Sequence, residues 1–279
     1  MSEVRLKNGV MIPQIGFGTW QIPNGRITEE SVAFALEAGY RHIDTAAGYY
    51  NEESVGRAIA SSGIDRSELF VTTKLHNTDH TYEKTRAGFF KSLEALGTEY
   101  IDLYLIHWPN PVAHRHHWKE ANAGSWRAME EFYQEGLIKA IGISNFFPRH
   151  IEALMETATI APMVNQIRLF AGSMQEELVS YCTKMGMVIE AYSPLGTGAL
   201  LKSEIIAEIA KRHDRSVAQI SLRYLLEKGF VILPKSIREA TIVENIALFD
   251  FSLTDADVAA LDAMENIVGP VRDPDTTNF

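Results

Sequence analysis

Short apolar runs alternate with amphipathic helical stretches along almost the whole chain, and eight strand–helix units follow one another. The runs are Ile15–Gly18, His42–Asp44, Leu69–Thr73, Ile101–Ile106, Ala140–Ile143, Met163–Ile167, Val188–Tyr192 and Val231–Leu233. Helical spacing marks Glu29–Ala38, Glu53–Ala60, Tyr82–Leu96, Ser125–Gln134, Pro148–Thr157, Gln175–Met185, Glu204–His213 with Val217–Leu226, and Ala240–Ala247. Strands joined through helices pair in parallel, since each connection must cross back over a sheet face. Eight units in 279 residues favour an α/β fold of the (β/α)8 TIM-barrel type over an open doubly wound sheet. No linker or low-complexity tract interrupts them, so one domain over residues 1–279 is expected.

Two segments fall outside this alternation. Val4–Lys7 and Val10–Ile12 flank Asn8-Gly9, a type I′ hairpin signal, and this N-terminal β-hairpin is expected to cap the barrel bottom. Ser252-Leu253-Thr254-Asp255 caps a last helix, Ala256–Met264, before a proline-containing tail. The net charge of −10 argues against non-specific nucleic-acid binding. No apolar h-region or membrane-spanning run is present, and the single cysteine, Cys182, suits a reducing compartment. A cytoplasmic protein without membrane or nucleic-acid partners is expected, with Cys182 read as a buried helical thiol.

Chemistry concentrates where apolar runs end. Asp44 closes the second run and Tyr49 follows it; Lys74 and His107 lie at the ends of the third and fourth. Each has an ordinary reading: Asp44 with Lys74 as a buried ion pair, His107 as a core histidine, Tyr49 as a surface aromatic. Their joint placement at three successive strand ends instead suggests a proton-donating site, because barrels carry chemistry at the C-terminal ends of their strands. Gly196-Thr197-Gly198 sits where a dinucleotide loop would, but Leu201 occupies the third glycine position. Gly16-Phe17-Gly18 is similarly incomplete.

Several blocks together resemble the aldo-keto reductase family. They are Gly39-Tyr40-Arg41-His42-Ile43-Asp44-Thr45-Ala46 with Tyr49, Asn51 and Glu52; Thr73-Lys74-Leu75; and Asp102-Leu103-Tyr104-Leu105-Ile106-His107-Trp108-Pro109. Gly142-Ile143-Ser144-Asn145-Phe146, Asn165-Gln166, Ser193-Pro194-Leu195-Gly196 and Leu233-Pro234-Lys235-Ser236 continue the series. The 2,5-diketogluconate-reductase and prostaglandin-synthase-like branches look most similar. The resemblance implies a barrel holding NADPH/NADP+ across its C-terminal mouth and reducing aldehydes or small ketones, with monomer the family expectation. It implies Tyr49 as general acid, Lys74 as the charge that lowers its pKa, Asp44 as the partner of Lys74, and His107 as the residue orienting the carbonyl.

Cofactor contacts are implied at Gly18, Thr19, Asp44, Ser144, Asn145 and Gln166, with Tyr192 stacking on the nicotinamide. Ser193, Leu195 and Gly196 would line the pyrophosphate; Lys235, Ser236 and Arg238 would take a 2′-phosphate, and Glu244 and Asn245 the adenine. Trp20, Tyr49, Tyr50, His76, His107 and Trp108 would line the substrate pocket, closed by the Pro111–Ser125 loop and the tail after Val268.

The chain departs from the family pattern in places. Tyr50 replaces a usual glycine, His76 a common tryptophan, Arg168 and Phe170 a Glu and a His, and Thr241 an arginine beside the adenine. His114-Arg115-His116-His117 could be a metal site, a basic lip or ordinary surface histidines. No metal ligand is assigned to it, since carboxylate or cysteine partners are not evident, and surface histidines are expected. A barrel that senses cofactor as a regulatory subunit, without significant turnover, is the alternative to an enzyme.

Overall fold

The computed structural model describes residues 2–278. Eight parallel strands form one sheet: β3 (Phe17–Gly18), β4 (His42–Asp44), β5 (Phe70–Leu75), β6 (Ile101–Ile106), β7 (Ile138–Ser144), β8 (Val164–Arg168), β9 (Val188–Tyr192) and β10 (Val231–Leu233). They pair in chain order, the order of a barrel and not of a doubly wound sheet. The ring closes where Ile15 bridges Ile232, with Gly16 N donating to Ile232 O at 2.9 Å and Gly18 N to Pro234 O at 3.0 Å. Gly16 is needed at this seam: a Cβ there would lie 2.6 Å from His42 Nδ1 and 2.7 Å from Leu233 Cδ2.

The helices are α1 (Arg26–Glu37), α2 (Glu52–Ser61), α3 (Tyr82–Leu96), α4 (Trp118–Gln134), α5 (Pro148–Met155), α6 (Glu176–Lys184), α7 (Glu204–His213), α8 (Val217–Glu227), α9 (Glu239–Ile246) and α10 (Asp255–Asp262). They cover the outer face of the sheet, where Phe89 of α3 and Phe132 of α4 stack at 4.3 Å beside Tyr104 of β6. None of the described helices is long and apolar enough to cross a membrane.

The hairpin pairs β1 (Glu3–Arg5) with β2 (Met11–Pro13), Val4 opposite Ile12. Its turn is not type I′, which needs positive φ at both central residues. Gly9 N donates to Leu6 O at 2.8 Å, and Gly9 has φ +92 while Asn8 keeps negative φ. This is a three-residue loop ending in a left-handed glycine. The Asn8 amide is used elsewhere: it donates to Lys139 O at 2.9 Å, and Lys7 Nζ reaches Pro162 O at 2.7 Å. Both acceptors lie at the N-terminal ends of strands, so the hairpin covers the lower mouth and leaves the upper one for ligands.

Helix α4 starts at Trp118 rather than Ser125, so half of the expected Pro111–Ser125 loop is helix. The extra turns are held by Asn122, which donates to Pro109 O at 2.8 Å and is paired with His80 Nδ1 at 3.0 Å. A buried polar contact of this kind leaves no hydrophobic period to read.

Candidate active site

The upper mouth collects the ends of the strands. Asp44 is the last residue of β4, Lys74 the penultimate residue of β5, and His107 follows β6 directly. Ser144 ends β7, Gln166 lies within β8, and Tyr192 ends β9. Tyr49 stands on a short turn, Ala47–Tyr49, above β4.

Lys74 is fully buried and spends its donors on four oxygens. Nζ lies 2.8 Å from both Asp44 carboxylate oxygens, 2.8 Å from Thr45 O and 3.2 Å from Tyr49 Oη. Burial alone would lower the ammonium's pKa, but Asp44 and Tyr49 outweigh it and the net shift is upward. Burial pushes the Tyr49 phenol up, while Lys74 pulls it down and Asp44 pushes it up again. The net direction for Tyr49 is therefore upward in the bare site, against the lowering expected from Lys74 alone. His107 packs edge-on to Tyr49, ring centroids 5.6 Å apart. Burial, then Lys74, holds the His107 imidazole well below its usual value, so it stays neutral near pH 7 and keeps one N–H to donate.

The next strands add an amide cradle. Gln166 Nε2 donates to Asp44 Oδ2 at 2.8 Å and to Glu190 Oε2 at 3.0 Å, while its Oε1 accepts from no protein group among the described residues. Asn145 is committed within the protein: it donates to His107 O and Ser144 Oγ, each at 3.0 Å, and its oxygen accepts from Tyr192 Oη at 2.8 Å. Thr19 Oγ1 donates to Asp44 O at 3.0 Å, joining the Gly18 end of β3 to the same cluster. Asn145 (φ 61), Ser193 (φ 51), Thr197 (φ 55) and Tyr50 (φ 57) all take left-handed backbone on this rim. Such strain gathers where a surface is shaped for a ligand. Leu195 and Gly196 continue the same loop past Ser193.

Beyond β10, Lys235 and Arg238 are exposed, and neither makes an ion pair among the described residues. Ser236 Oγ accepts from Arg238 N at 3.1 Å at the start of α9. Glu244 is half-buried, and Asn245 is buried with its Oδ1 unpartnered.

The aldo/keto reductase family profile matches residues 14–266. The chain belongs to the aldo-keto reductase family. It is 47% identical to the glyoxal reductase of Bacillus subtilis over 272 residues, 97% of this chain and 96% of that protein. It is 43% identical to the 9,11-endoperoxide prostaglandin H2 reductase of Trypanosoma cruzi over 275 residues, 98% of this chain and 94% of that one. A variant of Gox0644 solved in complex with NADPH superposes with a TM-score of 0.91 at 35% identity, covering 100% of this chain and 99% of that one.

The rim of this aldo-keto reductase is built largely from its departures. Tyr50 is 73% exposed, and its hydroxyl pairs with His76 Nε2 at 3.0 Å beside Gly48. Trp20 is exposed and Trp108 is buried. Arg168 donates to Gly269 O at 3.0 Å and Pro270 O at 3.1 Å, which ties down the tail. Asp275 fastens it further, accepting from Asn110 at 2.8 Å and Arg149 at 2.7 Å and pairing with His150 at 2.9 Å.

The histidine loop is not uniformly a surface feature. His114 is buried, stacks on His80 at 5.6 Å and bonds Thr78 O at 3.1 Å, whereas His116 and His117 are exposed. No group of three or more candidate metal ligands forms among the described residues. Glu190 and His42, both buried in the barrel beneath the site, were not singled out from the sequence. The available signal for Glu190 was a lone carboxylate within Val188-Ile189-Glu190-Ala191-Tyr192.

Proposed function

We propose that this enzyme uses NADPH to reduce aldehydes and small ketones to alcohols, with Tyr49 as the general acid. The observation that carries the reading is the buried chain Asp44–Lys74–Tyr49 under a neutral His107 at the open mouth. NADPH, when bound, supplies hydride to the carbonyl carbon. The residues present fit that cofactor: Gln166 keeps an acceptor for a carboxamide N–H, Asn145 holds Tyr192 at the nicotinamide end, and Lys235 and Arg238, without an ion pair among the described residues, offer cations for a 2′-phosphate. The Asn245 oxygen lacks a partner among the described residues, which suits an adenine amino group.

Tyr49 Oη then gives its proton to the carbonyl oxygen, and Lys74 Nζ stabilises the phenolate left behind. Asp44 keeps Lys74 charged and aimed at Tyr49. His107 donates its N–H to the same carbonyl oxygen and sets its angle. The polar rim of Tyr50 and His76, together with the similarity to a glyoxal reductase, supports short polar aldehydes among the substrates.

A carbonyl panel assayed with NADPH and NADH side by side tests the reading. Absence of turnover on every aldehyde, together with no NADPH binding, would sink it. Lys235→Ala and Arg238→Ala are each expected to weaken NADPH binding about tenfold while NADH binding changes less than about twofold. Equal losses for both cofactors would remove the 2′-phosphate role.

A further inference from the structure

We propose that Glu190 is a positioning residue: it fixes the plane of the Gln166 amide so that Oε1 faces the nicotinamide carboxamide. The inference rests on the NADPH-dependent reading above. Both hydrogens of a primary amide lie in the amide plane. One acceptor, Asp44 at 2.8 Å, therefore fixes only the direction of the NH2 end, whereas a second, Glu190 at 3.0 Å, fixes the plane. The flipped amide would set its carbonyl oxygen against the Asp44 carboxylate, so the NH2 end is held inward and Oε1 is left toward the ligand.

Glu190 itself has no solvent contact, and its Oε1 lacks a hydrogen-bond partner among the described residues. A buried carboxyl with one unused oxygen is costly unless it serves the groups around it. Those groups can be named strand by strand. From β4 come His42, with Nε2 3.6 Å from Glu190 Oε1, and Asp44; from β5 comes Lys74; from β8 comes the uncharged Gln166. From β10 the register partner is apolar Val231. Burial holds His42 down to about 3, so it is neutral and does not pair with Glu190 as a cation.

The test uses Glu190→Gln and Glu190→Leu in the full chain, with NADPH Kd read from tryptophan fluorescence quenching and the KM for NADPH read against kcat at saturating cofactor. Glu190→Gln keeps the shape and an acceptor for Gln166, so its Kd should stay within about twofold. Glu190→Leu loses the second acceptor, and its NADPH Kd and KM should rise about tenfold at neutral pH while kcat changes less. Thermal melts confirm folding, and the isosteric glutamine guards against collapse of the leucine variant. A leucine variant that binds NADPH like the parent, or a glutamine variant that loses binding as far as the leucine one, overturns the positioning role. A parent protein that neither binds NADPH nor reduces any carbonyl would instead remove the reading of function on which that role depends.

Discussion

Tyr49→Phe is expected to lower kcat for carbonyl reduction about 10³-fold while leaving the NADPH Kd within about twofold. Among the described residues the phenol is the only hydroxyl that Lys74 Nζ hydrogen-bonds, at 3.2 Å, and its ring stands edge-on to His107. Phenylalanine keeps the ring and that packing but removes the proton. The loss should thus fall on kcat rather than on binding, since proton transfer occurs only in the transition state. Tyr50→Phe is the internal control. Its hydroxyl faces His76 at 3.0 Å on an exposed rim, so its removal should alter KM and cost kcat less than about tenfold. A reversed pattern, with Tyr50→Phe dead and Tyr49→Phe active, would move the acid by one residue. Rates measured with a single good aldehyde at saturating NADPH decide between them.

The strand–helix order was readable because a parallel barrel buries each strand on both faces, which leaves uninterrupted apolar runs such as Ile101–Ile106. Asp44, Lys74 and His107 were readable for the complementary reason: a titratable side chain at the end of such a run is out of place unless it has work there. Tertiary polar contacts were not readable. The hairpin turn differs from the Asn-Gly expectation because the Asn8 amide binds Lys139 O across the barrel bottom. The first turns of α4 depend on Asn122, and burial of His114 depends on stacking with His80; neither leaves a period in the sequence. Glu190 was overlooked because one carboxylate in a short strand has meaning only when Gln166, on the neighbouring strand, is seen to donate to it. The downward pull of Lys74 on Tyr49 was anticipated, but burial, which acts more strongly in the opposite direction, is a property of the folded pocket.

Lys74→Met should be the most damaging single change, because it acts on chemistry and stability together. Without the ammonium no cation faces the phenolate that Tyr49 leaves behind, so kcat should fall by about 10³-fold or more, with NADPH binding largely retained. Stability should fall too. Asp44 would remain buried with Gln166 and Glu190 beside it and no positive charge, and breaking a buried pair in this way costs about 3–5 kcal/mol. For a chain of this size that lowers the melting temperature by about 5–10 °C. The pH dependence has a definite sign. Lys74 is raised in the fold, so its contribution is fully present below the ordinary lysine value of about 10.4 and is lost as pH climbs through the folded value. In Lys74→Met that contribution is absent at every pH, so the parent's advantage in melting temperature should narrow as pH climbs through the folded value of Lys74. Adding Asp44→Asn removes the stranded charge. The double variant should regain at least half of the lost melting temperature and none of the lost kcat. Recovery of activity along with stability would show that Lys74 serves the fold and not the proton transfer.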